Sequence, residues 1–145
     1  MGKTFEDEFM DIQSGLISLC LEFADGKADK IFAFAAFDEW HRYFDAFFES
    51  KGKIERTNKI GNNNAKYIFS FLGMGIDDLE KFIEISKKYN RPVPVEMKMY
   101  YNVKNGRFNA EYRYRKDIPN YDTIDYNFTD TFNAWEKDLK ARYEK

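Results

Sequence analysis

The segment Lys30–Phe37, KIFAFAAF, is apolar at almost every position. In a β-strand successive side chains point to opposite faces, so such a run needs cover on both. It therefore belongs in the centre of a sheet, with helices packed on at least one side. Two further β-leaning runs follow, YFDAFFES and KIERTNKI, separated by breaks at 39–42 and at Lys51-Gly52. The reading is three antiparallel strands at about 30–37, 42–50 and 53–59.

Helical periods flank this core. Phe5, Phe9, Ile12, Leu16, Leu19, Cys20 and Phe23 recur at three- and four-residue steps, which predicts a helix over 5–24. Thr4 suits its N-cap, Asp7 favours its first turn, and Asp25-Gly26 closes it. A second period, Ile68, Leu72, Ile76, Leu79 and Ile83, begins at Ala65, but Gly73 and Gly75 predict a break or kink. The firm helix is 77–89, followed by chain that Pro92 and Pro94 keep extended. Thr129 is expected to cap a last helix from about 130, with Phe132, Trp135, Leu139 and Tyr143 inward.

Between these helices lies MKMYYNVKNGRFNAEYRYR, 97–115, in which aromatic and basic residues interleave. Asn105-Gly106 is a strong hairpin signal. A two-residue loop there pairs Val103 with Phe108, Tyr101 with Ala110, Met99 with Tyr112 and Met97 with Tyr114 on one face. The other face pairs Glu96 with Arg115, Lys98 with Arg113, Tyr100 with Glu111 and Asn102 with Asn109. Rings and cations thus point opposite ways, which argues for a core face and a wet face rather than a stacking platform for nucleic acid. The expected fold is a single α+β domain over 1–145, an antiparallel sheet of about five strands in the order α-βββ-α-ββ-α.

Composition bounds the function. At 145 residues and a net charge of −2 the molecule as a whole is no polyanion binder. Aromatics make up 19% of the chain, so most must line the core. No basic-then-apolar leader and no span of about 20 apolar residues occurs, which predicts a cytoplasmic protein. One cysteine, Cys20, cannot form an internal disulfide and falls on an apolar helix face, as a structural thiol does. The single histidine, His41, sits in a turn with no accompanying nucleophile motif, so a solvated side chain is the reading there. DGKAD lacks the ligand spacing of a calcium loop, GMG is no dinucleotide fingerprint, and one His with one Cys builds no zinc site. The chain is not expected to be an enzyme or to carry a cofactor or metal.

Charge distribution is what remains. From Asp117 to Asp130 the chain carries four Asp and no Lys or Arg, with Tyr121, Tyr126 and Phe128 among them. Carboxylates beside tyrosines suit a surface for a basic protein partner, combining aromatic anchors with electrostatic steering. The partner-binding residues read from this segment are Asp117, Tyr121, Asp122, Asp125 and Tyr126. The competing surface is the basic hairpin face, Lys98, Arg107, Arg113, Arg115 and Lys116, which would serve a small nucleic-acid-binding domain.

Three passages in order, LCLEFADGKADKI, KKYNRPVPVEMKMYYNVKNGRFNAEYRY and TDTFNAWEKDLK, resemble the YezG-like immunity proteins of bacterial polymorphic toxin and contact-dependent growth inhibition systems. The similarity runs over nearly the full length. It implies a cytoplasmic antitoxin that binds the C-terminal toxin domain of an effector, often a nuclease, and occludes its active site or substrate path. The Gly-interrupted 65–76 segment and the Phe-rich YFDAFFES strand depart from the family pattern.

Overall fold

The computed structural model describes residues 3–38, 41–61, 63–118 and 127–144. Helix α1 (Phe5–Ala24) is followed by strands β1 (Lys30–Phe37), β2 (Arg42–Ser50) and β3 (Lys53–Arg56). Helix α2 (Ala65–Lys88), strands β4 (Glu96–Asn102) and β5 (Phe108–Arg113) and helix α3 (Phe128–Tyr143) follow among the described residues. All strand pairs are antiparallel, in the spatial order β3-β2-β1-β4-β5. The α+β architecture and its α-βββ-α-ββ-α order are those read from the sequence.

The doubly apolar β1 is central and covered on both sides. Ile31, Ala33, Ala35 and Phe37 join the core beneath α1 and α2. Phe32, Phe34 and Ala36 join a second core with Phe47, Phe132, Trp135 and Leu139, closed by α3. Phe47 and Phe132 stack at 4.1 Å between ring centroids, nearly parallel. The guanidinium of Arg56 on β3 grips both Glu136 carboxylate oxygens, at 3.0 and 2.7 Å, and Asn133 Oδ1 at 2.8 Å, tying α3 to that strand. The hydrogen bonds from Arg56 hold the Glu136 carboxyl below its usual range.

Four local expectations are corrected. First, α2 runs unbroken through Gly73 and Gly75. Gly75 is buried, and a Cβ there would fall inside the ring of Phe44, so this glycine lets the helix approach β2. Second, β3 stops at Arg56 and a 3-10 turn spans Thr57–Lys59. Ile54 belongs to the α3-side core and Ile60 to the α1/α2-side core, so the chain has to leave the strand to cross layers. Third, Asn127, not Thr129, caps α3, accepting the Asp130 N–H at 3.1 Å.

The fourth correction is the hairpin register. Tyr101 faces Phe108, Met99 faces Ala110, Met97 faces Tyr112 and Glu96 faces Arg113, a slip of two residues from the expected pairing. The side chain of Asn102 accepts the N–H groups of Lys104 and Asn105 at 3.0 and 3.3 Å, and Gly106 alone takes positive φ, at 71°. A primed two-residue turn needs positive φ at both positions, so the loop opens to Val103–Gly106 instead. A slip of two preserves the faces. The face read as wet is partly covered, however: Glu96 is buried, and Lys98 and Tyr100 lean on Trp135.

Candidate partner-binding surface

Helix α2 is held antiparallel to α1 by contacts at both ends. Phe23 stacks on Phe71 at 4.4 Å, and Phe9 packs on Phe82 at 4.9 Å. At the far end Lys88 pairs with Glu8 at 3.3 Å and Arg91 with Glu6 at 3.2 Å. The Tyr89 hydroxyl donates to Glu8, and that bond holds the Glu8 carboxyl below its ordinary range. Asn64 caps α2, accepting the Lys66 N–H at 2.8 Å.

This clamp fixes which side of α2 faces water. Tyr67, Phe69 and Met74 are 55%, 79% and 52% exposed, and they account for three of the five large exposed hydrophobic side chains among the described residues. On a 3.6-residue helix Phe69 lies on one flank of the outer face, and Tyr67 and Met74 lie on the other. Ser70 and Gly73 lie between them, and a Cβ at Gly73 would touch nothing within 4 Å. The outcome is a shallow floor of Ser70 and Gly73, with exposed Lys66 beside them, flanked by apolar side chains. Asp77 follows one turn on, and Glu22 and Asp25 are exposed at the adjoining end of α1. Exposed aromatic and methionine side chains with charged neighbours are the composition of a protein-binding surface, because burying such rings contributes large apolar area at little entropic cost.

The patch was legible in principle. Tyr67, Phe69 and Met74 stand off the Ile68–Leu72–Ile76–Leu79 stripe that the period marks as inward. The two glycines, read as helix weakness, hid it.

Of the five residues read from the sequence as partner-binding, Asp117 is exposed on the 3-10 turn Arg115–Asp117. Its carboxylate accepts the Tyr114 N–H at 2.9 Å, a local turn-stabilising bond. Tyr121, Asp122, Asp125 and Tyr126 lie outside the described residues. The rival basic face is partly engaged within the fold. Lys98 sits 5.6 Å over the Trp135 ring, and Arg113 pairs with buried Glu96 at 3.2 Å. Tyr100 meets Trp135 edge-on at 5.6 Å and donates to Glu111 at 3.0 Å, so it is not a free stacking ring.

His41 has its side chain 74% exposed, with Nδ1 at 3.1 Å from Asp38 Oδ2. Cys20 is fully buried, and burial pushes its thiol far above the ordinary range. Among the described residues no group of three or more His, Cys, Asp or Glu is placed to hold a metal ion, and no helix is long and apolar enough to cross a membrane. No model of a known protein family matches the chain, and no curated protein matches it at a significant level.

Proposed function

We propose that this chain is an immunity protein that binds and neutralises a bacterial toxin domain, a nuclease, in the cytoplasm. Binding, not catalysis, is its activity. The observation that carries the reading is the exposure of Tyr67, Phe69 and Met74 on α2, a helix held to α1 at both ends. The exposed carboxylates of Glu22, Asp25 and Asp77 suit the basic substrate groove of a nuclease, where carboxylates take the place of phosphates and raise the association rate. The patch lies in the 65–76 segment, where the chain departs from the family it resembles. A surface matched to one toxin is expected to vary in that way.

The test is to look beside this gene for a large gene with a variable 3′ end and to co-express the domain encoded there with this chain. Survival should depend on this chain, and Phe69→Ala with Met74→Ala should weaken the complex by about 30-fold or more, the scale of a hot-spot loss. Stability of the free protein should move by less than about 0.5 kcal/mol, since both side chains are exposed. Toxicity that persists, with no complex by titration calorimetry, sinks the proposal. Tight, steeply salt-dependent binding of short RNA or DNA would replace it with the nucleic-acid reading.

A further inference from the structure

The two edges of the sheet are finished differently. At β3 the outward N–H of Ile54 is taken by the Glu144 carboxylate at 2.7 Å. At β5 nothing comparable exists among the described residues. The Asn102 N–H donates to the Arg107 carbonyl at 3.0 Å, which sets the phase of the β4–β5 ladder. By alternation Asn109, Glu111 and Arg113 bond to β4, and the N–H and C=O groups of Phe108, Ala110 and Tyr112 point away from it. No described backbone group meets them. An open row of this kind is a template for another strand.

A groove runs beside that row, between β5 and α1. It widens into two cavities of about 280 and 320 Å3, one beside Phe108 and one beside Tyr112. Met10 lines both and stands 46% exposed between them. Gln13, three residues on along α1, is fully buried. Its Nε2 donates to the Tyr112 hydroxyl at 2.6 Å, and its Oε1 has no partner.

We propose that β5 receives an extended segment of a partner protein, antiparallel to it, with side chains entering the two cavities. Donors and acceptors repeating every second residue match an extended backbone and not a helix, whose backbone groups are already spent. Phe108 and Tyr112 are four residues apart, about 13 Å along a strand, so the segment carries two apolar residues at i and i+4. Met10 and Ala110 occupy the space between the cavities, so the residue at i+2 is small. An antiparallel strand ends its C-terminal side at the hairpin, where Lys104 and Arg107 are exposed and make no ion pair among the described residues. An acidic residue follows the second apolar one there. This surface is distinct from the α2 patch, and the inference stands or falls independently of what the toxin is.

The test uses the whole protein and a linear random-peptide display library. Panning should enrich an apolar-x-small-x-apolar pattern followed by an acid. With a synthetic copy of the enriched peptide, amide hydrogen exchange should slow by about tenfold or more at Phe108, Ala110 and Tyr112 and stay unchanged at Asn109 and Glu111. Ala110→Pro should abolish binding with an unchanged unfolding midpoint, because the N–H it deletes is outside the ladder. Should that variant fail to fold, Lys104→Glu with Arg107→Glu should lower affinity for the acid-bearing peptide about tenfold. The proposal is overturned by no enrichment, by protection elsewhere, by binding indifferent to these variants, or by a concentration-dependent dimer that protects the same amides without peptide.

Discussion

Gly73 and Gly75 lie two residues apart in one helix, and the same substitution should act on them in opposite directions. Replacing a mid-helix glycine by alanine relieves about 1 kcal/mol of backbone entropy cost. At Gly73 the new methyl meets open space, so Gly73→Ala should stabilise by about that amount. At Gly75 the methyl would lie within the ring of Phe44, against three of its carbons. Phe44 is itself 3% exposed and packs edge-on to Phe71 at 5.4 Å, so it has nowhere to retreat. Overpacking of a closed core costs about 1–3 kcal/mol, and a contact this close belongs at the upper end. Net of the entropic gain, Gly75→Ala should lose about 2 kcal/mol, which leaves the two variants about 3 kcal/mol apart. With a urea m-value of about 2 kcal/mol/M, their midpoints should differ by about 1.5 M. Urea titration followed by circular dichroism and tryptophan fluorescence measures this directly. A Gly75→Ala midpoint at or above wild type would refute the packing argument, and equal midpoints would refute the distinction between the two sites.

Asp45 on β2 is largely buried on the α3 side, and desolvation pushes its carboxyl up to about 6 from 3.8. The folded state therefore holds this proton more tightly than the unfolded one, so stability is lost as pH rises from about 4 to about 6. Asp45→Asn should then stabilise by up to about 3 kcal/mol at pH 7, with the gain vanishing below about pH 4; a gain independent of pH contradicts this. Cys20, buried with its thiol pushed up, should not react with an aromatic disulfide reagent in the native state and should react once denaturant unfolds the chain. Rapid labelling in buffer alone would contradict its placement.

Much of the fold was legible because its signals are local. The Thr4 N-cap, the Asp25-Gly26 stop and the inward stripes of α1 and α3 each follow from residues within one or two turns. The central place of β1 followed from its two apolar faces. The hairpin faces survived an error in its register because period two tolerates a slip of two. The register itself failed on a single competing bond set, the Asn102 side chain capturing two loop amides.

What a sequence determines by itself here is periodicity: which residues share a face, where an element starts and stops, and that Tyr67, Phe69 and Met74 lie off the buried stripe of their helix. Tertiary structure decided the rest through contacts between residues far apart in the chain. Gly75 reads as helix weakness until Phe44, 31 positions earlier, is seen against it. Tyr100 reads as wet until Trp135 of α3 meets its ring, and Glu96 until the fold buries it against Arg113. β5 is an edge strand, open among the described residues, only because strand order places it last, with α1 alongside. Local chemistry sets the period of a chain, but burial, and with it every surface that can meet a partner, is a property of which periods end up facing one another.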